Sequence, residues 1–241
     1  MIKIKKPNFW ERRNFFSFLL LPFSIITGLI NIFKKLNIQE KFPIKTICIG
    51  NIYIGGTGKT SLTVKINEIL KTRFKAVFIK KNYLSQTDEI SLLKKNGNLF
   101  AEDERKKSLI RAIKKKNEVA LFDDGLQQKN IKYDIKIACF NSEYGLGNEF
   151  LIPAGPLRES LQELKNCDIA FINGERKNIG LQKKIKSVNN DIKIFEGKYK
   201  PTNLTKFNLN KKYLMFCGIG NPEEFFKTLK KYKFNIKQKM I

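Results

Sequence analysis

The chain has 241 residues, enough to bury one large domain or one and a half. Its 47 Lys and Arg against 22 Asp and Glu leave a formal charge of +25, which suits an anionic membrane surface or nucleic acid. The excess is nearly all lysine and runs the length of the chain beside abundant Ile, Asn and Phe, a bias that an AT-rich genome also produces; with no histidine present, His-based catalysis and His metal ligands are excluded within these residues.

From Asn14 to Phe33 there is no charged residue. Such a run is borderline for spanning a bilayer, which needs about 20 apolar residues. At about 100° per residue, Ser17, Ser24, Thr27 and Asn31 fall within roughly 80° of arc, so one thin polar stripe marks an otherwise apolar helix. Pro22 breaks or kinks it. Basic residues flank both ends: Lys3, Lys5, Lys6, Arg12 and Arg13 before, Lys34 and Lys35 after. This pattern predicts a helix lying in a membrane interface, with a spanning helix and a buried core helix as the alternatives.

Ile44–Ile49 is an apolar, strand-like run. It leads into Gly50-Asn51-Ile52-Tyr53-Ile54-Gly55-Gly56-Thr57-Gly58-Lys59-Thr60-Ser61. Glycines let several backbone N–H groups face one anion, and the next helix adds its N-terminal dipole. The candidate nucleotide-binding residues are Tyr53, Ile54, Gly55, Gly56, Thr57, Gly58, Lys59 and Thr60. Lys59 would reach the β- and γ-phosphates, and the Thr60 hydroxyl would ligate Mg²⁺. Tyr53 stands where the usual loop pattern has a glycine. Leu62, Ile66, Ile69 and Leu70 then repeat at helical spacing.

Further strands are predicted at Ala76–Ile79, Val119–Phe122, Ile135–Phe140, Ile169–Ile172, Ile192–Phe195 and Tyr213–Cys217, with helical patterns between several of them. Alternating strands and helices predict an α/β fold, a mostly parallel sheet covered on both faces. Asp88-Glu89 sits at a possible helix start, as caps or as catalytic acids. Asp123-Asp124-Gly125 ends a buried strand, where an acid holds Mg²⁺ in a phosphate-loop enzyme. Leu151–Glu159 is a turn rich in Pro and Gly whose Arg158 could reach a phosphate. Glu196–Asn210 is polar and reads as a hinge. Cys217–Phe226 reads as strand, tight turn and helix, with Asn221 as cap and Pro222 as first helical residue. Cys48, Cys139, Cys167 and Cys217 form no C-x-x-C pair, so buried reduced thiols are expected and a zinc site is not.

In order along the chain stand Gly50-Asn51 with Gly55-Gly56-Thr57-Gly58-Lys59-Thr60, then Asp123-Asp124-Gly125-Leu126-Gln127. Pro153-Ala154-Gly155-Pro156-Leu157-Arg158-Glu159 and Gly218-Ile219-Gly220-Asn221-Pro222 follow. This combination resembles the tetraacyldisaccharide 4′-kinase family, the lipid A 4′-kinases of Gram-negative bacteria. The resemblance spans nearly the whole chain. It implies an enzyme on the cytoplasmic face of the inner membrane; a monomer is expected, and the membrane-type N-terminus argues against nucleic acid. The enzyme would pass the γ-phosphate of ATP, with Mg²⁺, to the 4′-hydroxyl of tetraacyldisaccharide 1-phosphate. It further implies Lys59 on the phosphates, Thr60 and Asp124 on Mg²⁺ with Asp123 beside them, and Asp88 as general base. The catalytic set is then Asp88, Lys59 and Arg158. Residues 1–35 would be the membrane-associated helix and 36–195 the kinase core. Residues 196–241 would be a hinge and the start of a second, incomplete domain, because the family continues into an Asp-His-His segment. The rival function is a degenerate nucleotide-binding or basic nucleic-acid-binding protein without kinase activity.

Overall fold

The computed structural model describes residues 7–83, 86–217 and 222–240. Two compact units divide between Gly197 and Lys198. The first begins with helices α1 (Phe15–Leu19) and α2 (Leu21–Lys35), followed by β1 (Lys45–Gly50), α3 (Lys59–Leu70) and β2 (Ala76–Lys81). Next come α4 (Thr87–Asn96), β3 (Leu99–Glu102), α5 (Arg105–Lys114), β4 (Val119–Asp123) and β5 (Ile135–Asn141). β6 (Ile169–Asn173), α6 (Ile179–Val188) and β7 (Lys193–Gly197) complete it. The seven strands form one parallel sheet in the order β3-β2-β4-β1-β5-β6-β7.

Strand periodicity explains the core. Val119 and Leu121 of β4 face one side with Ile49, Phe78 and Leu93; Leu62, Ile66 and Leu70 of α3 pack there. Ala120 and Phe122 face the other side with Cys48, Val77, Ile79 and Phe140, under Leu109 and Ala112 of α5 and Leu181 and Ile185 of α6. Both faces are covered, so the strands read as unbroken apolar runs. Ile69 departs from the predicted inner face of α3 and is exposed, while Val64 packs inward. All four cysteines are free and buried. Burial raises the thiol pKa of Cys48 and Cys139, and that of Cys167 to about 12, so these thiols are inert fillers.

β1 is central, between β4 and β5, with β2 on the far side of β4, and parallel sheets place ligands at the C-terminal ends of such strands. Ile49 pairs with Asp123 and Ile79 with Phe122. The register therefore puts Lys80 level with Asp123, on the side that α3 covers.

The second unit is a βαβ element: β8 (Lys212–Phe216), α7 (Pro222–Lys231) and β9 (Asn235–Met240), with the two strands parallel. Phe207, Tyr213 and Phe234 meet edge to face in a half-exposed cluster. The predicted turn at residues 218–221, with Asn221 as cap, lies outside the described residues.

The apolar N-terminal run is two helices, not one, with Pro22 in the first turn of α2 where its missing N–H costs nothing. No helix among the described residues is long and apolar enough to cross a membrane. Nor are α1 and α2 buried among the described residues. Phe15, Phe16, Leu19, Phe23, Ile25, Ile26 and Phe33 are each more than half exposed, while Ser17 and Ser24 are buried. The predicted polar stripe faces inward, onto the 151–158 loop.

Candidate active site

β1 ends at Gly50, and the chain then crosses to α3 through the glycine-rich loop. Asn51, buried at its start, donates from its side-chain amide to the Tyr53 carbonyl and, at 3.2 Å, to the Thr57 hydroxyl. Gly58 has φ +81°, a left-handed conformation that glycine adopts without strain, and it caps α3. No side chain caps that terminus, so the first N–H groups of α3 and its dipole face the loop unsatisfied by the protein.

Tyr53 stands where a curled loop would have glycine, and the structure shows why a bulky residue fits. Residues 52–54 run antiparallel to 156–158. Ile54 N–H donates to Pro156 O at 2.9 Å and Arg158 N–H to Ile52 O at 2.8 Å, with a bridge between Tyr53 and Leu157. The Tyr53 side chain is buried in the core and burial raises its pKa. Of the predicted nucleotide-binding set, Tyr53 and Thr57 are buried, whereas Ile54, Gly55 and Gly56 are exposed along the loop.

The acids at the end of β4 divide the work. Asp123 is fully buried. It accepts from Lys80 Nζ at 2.6 Å, from the Thr60 hydroxyl at 3.2 Å and from the Thr63 hydroxyl at 3.4 Å. Lys80 is 1% exposed and also contacts Glu89 at 2.5 Å. Burial disfavours its charge, but Asp123 and Glu89 outweigh that cost and raise its pKa, so Lys80 stays an ammonium. Asp124 takes φ +56°, which Asp tolerates better than most residues, and turns away from the strand. It lies 3.7 Å from Lys59 Nζ and 3.0 Å from Arg158 Nη1. Burial opposes its ionisation, yet Lys59 and Arg158 more than compensate and hold its carboxyl below the usual range.

The two acids thus face different partners: the Thr60 hydroxyl meets Asp123, and Asp124 faces the two cations. The physical reason is strand alternation, which points Asp123 toward α3 and leaves Asp124 on the turn beyond. Thr60, Asp123 and Asp124 still bring a hydroxyl and two carboxylates to one corner, a hard-oxygen donor set that fits Mg²⁺. Asp88 is exposed in the first turn of α4, and its neighbour Glu89 is the acid that reaches the corner through Lys80.

Arg158 closes the site from the opposite side. Its guanidinium spans Asp124 and, at 3.1 Å, the side-chain oxygen of Asn51. Glu159 beneath it accepts from Lys129 Nζ at 2.8 Å, and Lys129 also holds Glu163. Arg105 of α5 donates to the Asp124 carbonyl at 2.7 Å and fixes the turn. Beside these groups lies a cavity of about 360 Å³ lined by Lys81, Tyr83, Arg105, Asp124, Gln127 and Arg158 among others. Sequence reasoning did not single out Lys80 or Arg105, and it named Asn51 only beside Gly50 in the motifs that carry the resemblance. For Lys80 a signal existed, since it shares the buried face of Phe78 two residues earlier on the same strand.

The chain is similar to known proteins along most of its length. The family model for tetraacyldisaccharide-1-P 4′-kinase matches residues 16–97 and 86–241. A tetraacyldisaccharide 4′-kinase of Pelagibacter ubique is 50% identical over 98% of this chain and 76% of the relative. One of Rickettsia canadensis is 34% identical over 98% of this chain and 77% of the relative. The crystal structure of LpxK from Aquifex aeolicus in complex with ATP superposes with a TM-score of 0.68 at 23% identity, covering 93% of this chain and 81% of that one. The glycine-rich loop, the paired acids and the arginine that closes on them therefore sit in a chain that belongs to the tetraacyldisaccharide-1-P 4′-kinase family.

Proposed function

We propose that this chain transfers the γ-phosphate of ATP to the 4′-hydroxyl of a tetraacyldisaccharide 1-phosphate, the lipid A precursor. The observation that carries the proposal is the convergence of Lys59 and Arg158 on Asp124 at the uncapped N-terminus of α3. Phosphoryl transfer asks the protein mainly for positioning and for positive charge around the transferred group. Here α3 and the loop amides bind the triphosphate, and Lys59 orients it. Arg158 faces Lys59 across Asp124 and stabilises charge that develops in the transition state. Thr60, Asp123 and Asp124 would hold Mg²⁺, which would supply positive charge to offset that of the phosphates. Asp88 takes the proton of the acceptor hydroxyl; its open position on α4 keeps it accessible to a large substrate. The cavity beside Arg158 and Arg105 mixes cations with Asp103, Glu104 and Asp124 and with the amides of Gln127 and Gln128, a polar lining that suits the hydroxyls of a sugar head.

The acceptor carries acyl chains, and α1 and α2 supply the matching surface. Their outward face is a sheet of Phe, Leu and Ile, flanked by exposed Arg12 and Lys34. A patch of this kind marks a membrane or partner surface. We assign it to the cytoplasmic face of the inner membrane, with basic flanks toward anionic lipid. On this reading the unit is a monomer, residues 1–35 form the membrane element, 36–195 the kinase core and 196–241 a hinge with part of a second domain.

The test is mass-spectrometric detection of the phosphorylated acceptor, with Lys59→Ala as control. The proposal predicts a gain of one phosphate on the acceptor that vanishes in Lys59→Ala. ATP binding without acceptor phosphorylation would favour the degenerate nucleotide-binding reading instead.

A further inference from the structure

The inner stripe of α2 does more than hide polar atoms. Ser24 Oγ donates to Leu151 O at 2.8 Å and accepts from Ala154 N at 3.2 Å. Thr27 Oγ1 donates to Ile152 O at 2.7 Å. Asn31 Nδ2 donates to Arg158 O at 2.9 Å. Gly28 lies on the same stripe, where a Cβ would meet Leu151 at 3.6 Å. Residues 24, 27, 28 and 31 are spaced as one helical face. All of their bonds fall on residues 151–158. Trp10 Nε1 adds a further bond to Pro153 O at 2.9 Å.

That loop in turn builds the phosphate corner. Its far end pairs with residues 52–54 of the glycine-rich loop, and Arg158 reaches Asp124 and Asn51. Arg158 is thus held at its carbonyl by α2, at its N–H by Ile52 and at its guanidinium by the site. Apolar helices seated on a protein usually turn their apolar face inward. Here the polar face is inward, and each of its hydrogen bonds replaces water on a loop carbonyl or amide.

We infer that Ser24, Thr27 and Asn31 are positioning residues for phosphoryl transfer: they act through the 151–158 loop to hold Arg158 at Asp124. The apolar helices and the phosphate corner are then one mechanical unit. A displacement of about 1 Å at a reacting group can cost about 100-fold in rate. The inference rests on the proposed role of Arg158, but not on membrane binding.

The experiment is a kinetic cycle between Asn31→Leu and Arg158→Lys, with acceptor in mixed micelles and folding checked by far-UV circular dichroism. Asn31→Leu keeps the outer face of α2 intact. Expected results are a kcat roughly tenfold lower for Asn31→Leu and about 100-fold lower for Arg158→Lys. The double variant should be no slower than Arg158→Lys alone, because both lesions act at one group. Losses that multiply to about 1,000-fold would overturn the inference, as would an unchanged kcat in Asn31→Leu. If Asn31→Leu does not fold, Thr27→Val enters the same cycle, and Thr27→Ser should restore the rate by keeping the hydroxyl. Vesicle sedimentation of the unmodified chain is read separately: failure to sediment removes the membrane assignment and leaves the cycle interpretable. An Arg158→Lys variant of full activity would instead remove the role of Arg158 itself.

Discussion

The phosphate corner and the N-terminal helices bury opposite kinds of atom. At the corner, Lys80 and Asp123 lie in the interior, each charge answered by another, and the apolar strands around them are hidden. In α1 and α2 the polar atoms lie against the protein, and Phe and Ile side chains face out. Burying charge is costly unless it is paired and hydrogen-bonded. Exposing that much apolar surface is costly unless something other than water covers it. On the proposed function the two costs serve different ends: one region gathers positive charge for a phosphate, and the other meets an acyl surface. Hydrogen bonds from α2 to the 151–158 loop join the two.

The sharpest way to break the comparison is at Lys59. Lys59→Ala should lower kcat by at least about 10³-fold with the fold intact, checked by phosphate transfer and thermal melting. Asp88→Ala should lower kcat by about 10²–10⁴-fold and leave ATP binding unchanged, as titration with a fluorescent ATP analogue would read. Loss of the fold instead would make Asp88 a helix-start residue only.

Lys80→Met tests the buried pair through stability. Removing one partner strands Asp123, and chemical denaturation should read a loss of about 3–5 kcal/mol. The double variant Lys80→Met/Asp123→Asn should recover part of it. On the helices, Ile26→Glu/Ile30→Glu should weaken sedimentation with anionic vesicles by at least about tenfold and leave the melting temperature nearly unchanged. A large drop in melting temperature would show those side chains to be core.

The smallest effect is the acid limb of stability. Asp124 has a folded pKa held below its unfolded value near 3.9. Its contribution is therefore fully present above the unfolded value and is lost as pH falls through the folded one. Melting curves from pH 6 downward should show Asp124→Asn lacking that part of the loss. A variant that follows the parent at every pH would show that its ion pairs carry no net stability.

Much of the sheet was legible because buried parallel strands are unbroken apolar runs bounded by polar turns. β3 escaped because it is four residues long and half-buried at the sheet edge. β9 escaped because Asn235-Ile236-Lys237-Gln238-Lys239-Met240 carries little apolar surface in a two-stranded pair. The glycine-rich loop, Asp123-Asp124 and Arg158 stood out by spacing, and the structure brings them together. Which acid takes which partner was not legible, because it depends on a register between strands far apart in sequence. Lys80 fell just past the predicted strand Ala76–Ile79, and its partner Asp123 comes from β4, more than forty residues on. The polar stripe of α2 was visible as a stripe, but its direction was not, since a helical wheel cannot say which side meets protein.

The most direct measurement is transfer of labelled γ-phosphate from ATP to the acyl-disaccharide acceptor embedded in anionic vesicles. The acceptor is held at fixed bulk concentration while inert lipid dilutes it in the surface. Transfer should depend on Lys59, and its rate should fall with the surface fraction of acceptor. Transfer that persists in Lys59→Ala, or a rate that ignores surface dilution, would contradict a kinase that works from the membrane surface.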